Sequence, residues 1–570
     1  MDKKRFKILE ILFSTILPFI LLYRIFLIQI WYKEDFLPFI EKQLTSKIRI
    51  NIPRGDILDR NNKILATSIE VASVYVNSKD FLEFKQKLER RNPSLLQQNL
   101  SLICSTLNIS EEDFIKKCNT QKRFCLSKEI DLNVAFKIRH IPGVEIETYQ
   151  KRIYPFSPVE SYIVGRTNYE NKGYSGVEYE FENILSALRK KELVVYKSGA
   201  LQKNIARLVN INDLPEFTNT SENSTIILTI DINLQNKITN ILKKYYEKYS
   251  PTTVMCIIQK SDTGEILTMT ILPETETPLS NPAINYIYEP GSVFKIFPIA
   301  VFLEEQITTP NEKIDCENGK FTYSGITITD VKPHKFLTVE DIIVFSSNIG
   351  MAKLYLKYLN LKKFLEYQTL FGFGNQTGIE FPQEARGYIP SYERCKPITP
   401  LYISFGQGCA TTPLQIVNGY TMIANNGELL QPFIVKTILS KNQIIYSGKK
   451  QVVRKVISEK TANIIKEMLY QTVERGTAQK TKIDGIKICA KTGTAQKFDF
   501  QLQKYSPTKF FMSCCGFFPK ENPKFTIGIF FDEPKGVSLA SEIAVPTFKE
   551  IVLELLNYYN ETINFYAKAY

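Results

Sequence analysis

The chain opens on MDKKRFK and then runs from Ile8 to Trp31 through an apolar stretch whose only charged or amide side chains are Glu10, Arg24 and Gln29. A helix rises about 1.5 Å per residue and needs roughly 20 residues to cross the hydrocarbon core, so this stretch suffices for one transmembrane helix and exceeds the apolar region of a cleaved signal peptide. No small-residue cleavage site follows it. Lys3, Lys4, Arg5 and Lys7 precede it, and positive flanks stay in the cytoplasm. Residues 1–7 are therefore expected to be a cytoplasmic tail, 8–31 a signal-anchor helix, and the rest an extracytoplasmic body. Arg24 is expected to snorkel to the outer interface or to pair with another membrane helix. The rival reading, a buried core helix, fits poorly with the terminal position and basic flank.

A chain of 570 residues exceeds what one hydrophobic core usually organises, so two or three globular units are expected. Its 44 % apolar and 23 % charged residues are ordinary for folded domains, which argues against a disordered or fibrous chain. The net charge of +13 allows nucleic acid, an anionic membrane surface or an acidic polymer as partner. Basic runs are no denser than Arg189 to Lys191 and Lys449 to Lys450, and no nucleic-acid motif occurs, so a diffuse basic surface without a nucleic-acid partner is expected. Ten cysteines are too sparse for a disulfide framework, and none has paired CxxC spacing with histidine nearby, so no metal site is expected. Cys489, Cys514 and Cys515 read as core side chains and His334 as a surface or loop residue. Only His140 and His334 could serve a Ser-His-Asp triad, which leaves a lysine or a carboxylate as the expected general base.

The class is α/β in the α+β sense. Residues 32–224 mix β-rich runs such as Val71 to Val76 with charged helical stretches such as Phe84 to Leu107. The turn-rich segment Ile211 to Ser224 predicts a domain boundary, followed by a strand over Thr225 to Ile230. Residues 225–570 form the second domain. Its strands at Val254 to Gln259, Glu265 to Thr270 and Phe525 to Phe531 bracket helices such as Ala462 to Arg475 and Pro546 to Tyr559, predicting one sheet closed by distant segments.

Three motifs fall in order within this second domain: Ser292-Val293-Phe294-Lys295, Ser346-Ser347-Asn348 and Lys491-Thr492-Gly493-Thr494. A Ser-x-x-Lys string alone is weak, because chance supplies several in a lysine-rich chain. Here Glu289-Pro290-Gly291 precedes the serine and an apolar run, Ile296 to Leu303, follows the lysine, so Ser292 is expected where a turn enters a buried helix. One turn brings Lys295 to the same face, and partial desolvation there would lower its pKa enough to accept the serine proton. Asp484 to Ala490 reads as a strand feeding directly into Lys491-Thr492-Gly493-Thr494, where a lysine, two hydroxyls and a permissive glycine suit a carboxylate ligand.

These motifs resemble the S-x-x-K, S-D-N and K-T-G set of β-lactamases and penicillin-binding proteins, with S-S-N as the middle triplet. The chain resembles class B penicillin-binding proteins over nearly its whole length. Arg54 to Asn61 (RGDILDRN), Arg152-Ile153-Tyr154-Pro155 and Gly173 to Glu178 (GYSGVE) look like that family's three pedestal motifs. Thr229-Ile230-Asp231 followed by Leu234-Gln235 resembles the entry to the transpeptidase domain. Glu289-Pro290-Gly291-Ser292, Ser346-Ser347-Asn348, Phe371-Gly372-Phe373-Gly374, Ser404-Phe405-Gly406-Gln407-Gly408 and Asp532-Glu533-Pro534 look more like the division-specific branch than the elongation-specific one. Asn62, Ser157 and Ala490 depart from glycines usual in the family.

The resemblance implies a transpeptidase domain of the serine β-lactamase-like fold behind an α+β pedestal and one membrane helix, in the bacterial cytoplasmic membrane. It implies peptidoglycan D,D-transpeptidation without a cofactor: Ser292 as nucleophile, Lys295 as base, Ser346 as proton relay and Asn348 orienting the substrate amide. Lys491, Thr492, Gly493 and Thr494 would hold the terminal carboxylate, and the backbone N–H groups of Ser292 and Thr494 would form an oxyanion hole. Stem peptides, β-lactams, a polytopic glycosyltransferase and other division-machinery membrane proteins are the implied partners. The rival readings are an elongation-type transpeptidase, a silent division scaffold, a β-lactamase and a β-lactam sensor.

Overall fold

The computed structural model describes residues 3–31, 45–49, 53–186, 192–196, 224–440, 442–499 and 504–569. They belong to two compact units, Met1–Pro53 with Leu188–Glu222 and Arg54–Ala187 with Asn223–Tyr570. All of the expected boundary segment except Ser224 lies outside the described residues. In the first unit, helix α1 (Lys3–Phe26) continues as a π-helical turn over Leu27–Trp31. Its span Leu12–Ile30, 19 residues, is long and apolar enough to cross a membrane, and Arg24 lies in its last turn. Strands β1 (Thr45–Arg49) and β6 (Glu192–Tyr196) pair antiparallel.

The second unit is built on two sheets. The chain enters it through β2 (Ile57–Leu58) and the long β3 (Ile64–Asn77), on which β4 (Arg123–Ile130) and β5 (Val144–Ile153) pair antiparallel. The helical stretch expected over Phe84 to Leu107 is two helices, α2 (Ser78–Arg91) and α3 (Pro93–Leu107). Proline bars the residue before it from helical geometry, and Asn92, at φ −157° and ψ 78°, instead caps α3 by accepting the N–H of Leu95. Val74, Val76, Phe81, Leu100, Ile103 and Phe114 fill the core between sheet and helices.

Arg54, Arg152 and Glu178, one from each pedestal motif, meet around one buried carboxylate. Arg54 Nε donates to Glu178, Arg152 Nε donates to it at 2.7 Å, and Arg54 reaches Glu182 at 2.6 Å. A buried carboxylate held by two guanidiniums is a paired charge, which is the condition for tolerating it inside a fold.

β2 also runs parallel to β7 (Thr225–Leu228), with Ile57 opposite Ile226. Residues before 187 and after 223 thus share one seven-stranded sheet, ordered β11-β10-β7-β2-β3-β4 with β5 on β3, where β10 is Val435–Ser440 and β11 Gln443–Ser447.

The other sheet has five antiparallel strands, β8 (Thr253–Lys260), β9 (Ile266–Leu272), β12 (Cys489–Asp499), β13 (Lys504–Phe518) and β14 (Phe525–Asp532), in the order β12-β13-β14-β8-β9. It is closed by segments more than two hundred residues apart, as the strand pattern predicted. Alternation sends Val254, Cys256 and Ile258 to a core shared with α4 (Ile232–Tyr249) and α10 (Ala540–Ala569), while Met255 and Ile257 face α8 (Pro413–Ala424) and join the larger core that also holds α5 (Ile296–Glu304). Cys489, Cys514 and Cys515 are fully buried, and His334 is half-buried in a loop, its ring stacked on Phe345.

Candidate active site

Ser292 lies on a short 3₁₀ helix, Gly291–Lys295, that runs straight into α5. The α-helix thus begins at Ile296, one turn later than the helix start expected at Ser292. With three residues per turn, positions i and i+3 of a 3₁₀ helix eclipse, which stacks Ser292 and Lys295 on one face. The turn ahead of Ser292 is pinned by backbone: Gly291 N–H donates to the Gly406 carbonyl at 2.9 Å, and a Cβ on Gly406 would fall 2.0 Å from the Gly291 carbonyl oxygen. Glu289 Oε1 accepts the Gly408 N–H at 2.7 Å and the Tyr505 hydroxyl at 3.2 Å, and burial pushes its carboxyl above the usual range.

Ser346 occupies the turn between α6 (Val339–Val344) and α7 (Asn348–Tyr358) at φ +63°, a left-handed conformation that costs a non-glycine residue about 1 kcal/mol or more. That turn brings its hydroxyl between two lysines. Lys295 Nζ donates to the Ser346 carbonyl at 2.6 Å and to Asn348 Oδ1 at 2.7 Å, and lies 3.3 Å from Ser346 Oγ. Lys491 Nζ donates to the same Oγ at 2.9 Å and to the Thr492 carbonyl at 3.1 Å.

Both lysines are fully buried. Burial holds Lys295 well below the usual lysine range, repulsion by Lys491 lowers it further, and Asp330 pulls the other way. Burial brings Lys491 down to about 7. A neutral lysine amine at the first position can take a proton from a hydroxyl.

The strand expected over Asp484 to Ala490 begins at Cys489, and it carries Lys491-Thr492-Gly493-Thr494 within it. The Asp484-Gly485 pair makes a tight turn instead, with Ile483 bridging Ile486 and Gly485 at φ +80°. A Cβ on Gly493 would lie 2.6 Å from Ser513 Oγ and 3.0 Å from Val293 Cγ1, so glycine lets β12 press against the nucleophile turn. Thr492 Oγ1 donates to Thr477 Oγ1 at 2.8 Å, and Thr494 Oγ1 accepts the Ala540 N–H at 3.1 Å, leaving the Thr494 proton able to donate.

The structure therefore brings Lys295, Ser346, Asn348 and Lys491 into one hydrogen-bonded group, with Ser292 one turn from Lys295 and Thr492 and Thr494 on the adjoining strand. Among the described residues, no cluster of His, Cys, Asp or Glu is arranged to hold a metal ion. Two participants escape a reading of the sequence. Asp330 holds the Ser347 hydroxyl and the Asn348 backbone N–H, and Thr477, just past the C-terminus of α9 (Glu459–Arg475), holds Thr492. Both act through tertiary contacts that no local pattern encodes.

Residues 254–553 match the family described as the penicillin binding protein transpeptidase domain, and residues 49–213 match the penicillin-binding protein dimerisation domain. Peptidoglycan D,D-transpeptidase FtsI of Buchnera aphidicola subsp. Baizongia pistaciae (strain Bp) is 31 % identical over 540 residues, covering 91 % of this chain and 89 % of that protein. Stage V sporulation protein D of Bacillus subtilis (strain 168) is 27 % identical over 525 residues, covering 88 % and 78 %. Among solved structures, penicillin binding protein 3 of Mycobacterium tuberculosis complexed with aztreonam gives a TM-score of 0.66 at 21 % identity, covering 90 % of this chain and 97 % of that one. Penicillin binding protein 2X of Streptococcus thermophilus gives 0.73 at 19 % identity, covering 90 % and 80 %. At those identities the likeness is one of fold.

Proposed function

Since this chain belongs to the penicillin-binding proteins, in their class B arrangement and FtsI-like branch, we propose that it is a peptidoglycan D,D-transpeptidase acting through an acyl-enzyme on Ser292. The observation that carries this reading is the convergence of Lys295 and Lys491 on Ser346 Oγ, one 3₁₀ turn from Ser292.

Neutral Lys295 takes the Ser292 proton as Oγ attacks the carbonyl between the two terminal D-alanines of a stem peptide. The Oγ–C bond forms, the C–N bond breaks, and the proton passes through the Lys295–Ser346 hydrogen bonds to the departing D-alanine amine. An amine from a neighbouring strand then attacks the ester, an amide replaces it, and the proton returns to Ser292. Asn348 orients the stem-peptide amide. Lys491, Thr492 and Thr494 receive the terminal carboxylate, with Gly493 keeping the strand close. Backbone N–H groups of Ser292 and Thr494 stabilise the oxyanion, a contribution typically of about 3 to 4 kcal/mol per donor. A β-lactam presents the same carbonyl and carboxylate, so it acylates Ser292 and remains there.

In the domain scheme that fits this chemistry, residues 32–224 are the pedestal and 225–570 the transpeptidase domain. Residues 8–31 anchor both to the cytoplasmic membrane in a single pass, with residues 1–7 inside the cell. The pedestal and anchor engage a polytopic glycosyltransferase and other division proteins, and the cross-links are septal.

The full chain in detergent, given a pentapeptide ending in D-Ala-D-Ala and an acceptor amine, is expected to release D-alanine and form the cross-linked product. Ser292→Ala is expected to do neither. Repeated hydrolysis of β-lactam would instead assign a β-lactamase, and folded protein inert to both substrates a scaffold. Depletion in the native cell is expected to give filaments without septa, whereas rounded cells would assign an elongation role.

A further inference from the structure

We propose that Asp330 is a positioning residue for this reaction, one whose carboxylate locks the Ser346-Ser347-Asn348 turn against the two buried lysines and supplies a negative charge that acts on Lys295. This rests on reading Ser292 as nucleophile and Lys295 as its base.

Asp330 follows the short strand Ile326–Thr329, and both of its oxygens are committed to the triplet. Oδ1 accepts the N–H of Asn348 at 2.6 Å and of Ile349 at 3.1 Å, and Oδ2 accepts the Ser347 hydroxyl at 2.5 Å. Ser347 Oγ in turn accepts the Gly350 N–H at 2.9 Å, which completes the N-terminal cap of α7. The neighbouring Thr329 carbonyl accepts Asn348 Nδ2 at 3.1 Å, leaving Oδ1 of that amide turned to Lys295 Nζ. Residues 329 and 330 thus grip Asn348 by both backbone and side chain.

The grip matters because Ser346, two residues ahead of Asn348, is strained. Ser346 holds φ +63° without being glycine, and its hydroxyl must stay between two amines. Such a conformation persists only when its surroundings over-determine it. Asp330 does so at the next two residues, without touching either lysine through a hydrogen bond.

Charge adds an independent argument. The charged groups that act on Lys295 are Lys491 from β12, which disfavours its protonation, and Asp330, which favours it. The Cys316 thiol accepts from Ser347 Oγ at 3.7 Å and feels the charges of Asp330, Asp315 and Lys353, the last ion-paired to Glu317; none of these groups but Asp330 bonds the triplet's backbone. Loss of the Asp330 charge leaves the buried Lys295 amine facing Lys491 without that counterweight, so Lys295 gives up its proton at lower pH.

The test compares second-order acylation of the full chain by a fluorescent penicillin across pH, for wild type, Asp330→Asn, Asp330→Glu, Ser347→Ala and Ser292→Ala, with thermal unfolding recorded for each. For Asp330→Asn, acylation is expected to fall between about 10- and 100-fold, since small misplacements of reacting groups cost that much. The loss should lie in the acylation step and not in prior binding, and the rise of rate with pH should move to lower pH. Asp330→Glu should restore the position of that rise and part of the rate. Ser347→Ala, which keeps the charge but removes one ligand of the carboxylate, should lower the rate without moving the rise, and it serves if Asp330→Asn does not fold.

A folded Asp330→Asn variant with wild-type rate and pH profile would overturn the inference. So would a rate loss with an unmoved profile that Asp330→Glu fails to repair, which is the signature of a purely structural residue. Wild-type protein that takes no label on Ser292 would overturn the premise itself.

Discussion

Lys491 sits fully buried with its ammonium on a serine hydroxyl and a backbone carbonyl, and burial brings it to about 7 from a usual value of 10.5. Between those two values the unfolded chain keeps a proton that the folded chain has released. Stability at this site therefore rises as pH climbs through that window, and below it the cost of burying the charge is felt in full. Lys491→Met should abolish acylation yet raise stability at neutral pH by roughly 1 to 3 kcal/mol, a gain that shrinks as pH approaches the ordinary lysine range. Thermal unfolding at several pH values checks it, and a variant less stable than wild type at neutral pH would count against it. The side chains of this site divide by how they announce themselves. Ser292 with Lys295, Ser346 with Asn348, and Lys491 to Thr494 are legible because each set lies within one turn or one strand segment. Asp330 and Thr477 reach their partners 17 and 15 residues away through the packing of separate elements, so no spacing in the chain signals them.

Among the elements, the turn that carries Ser292 depends on a backbone-to-backbone approach that only glycine permits. Gly406 adopts φ +85°, and any Cβ there would meet the Gly291 carbonyl. Gly406→Ala should displace the nucleophile turn and lower penicillin acylation by about 100-fold, while unfolding falls by only a few degrees because both sheets are untouched. Wild-type acylation in that variant would contradict the arrangement. Strand and helix positions were legible where a period ran unbroken, as in Val254 to Gln259 and Phe525 to Phe531. They were misread where a turn residue interrupts an apolar or charged run. Asp484-Gly485 turns the chain just ahead of β12, and Asn92-Pro93 divides α2 from α3; in both places local backbone chemistry overrides a continuous hydropathy pattern.

At the scale of the molecule, the three pedestal motifs and the entry to the transpeptidase domain are tied by buried polar groups. Glu178 receives Arg54 and Arg152, and Asp231 receives the Tyr558 hydroxyl at 2.8 Å and Asn61 Nδ2 at 3.1 Å. Each motif is visible in the sequence, but that three of them meet on one carboxylate is visible only in the fold. Glu178→Ala leaves the buried Arg152 guanidinium without its counter-ion and Arg54 with Glu182 alone, and should cost about 3 to 5 kcal/mol, read as a lowered denaturant midpoint; an unchanged midpoint would contradict that network's role. The whole arrangement sets Ser292 one 3₁₀ turn from Lys295, and that Ser292 is the nucleophile is the claim to test first. Intact-protein mass spectrometry of the full chain after incubation with a penicillin should give a single long-lived adduct that maps to Ser292 and is absent from Ser292→Ala. An adduct on another residue, or one that persists in Ser292→Ala, would contradict the account.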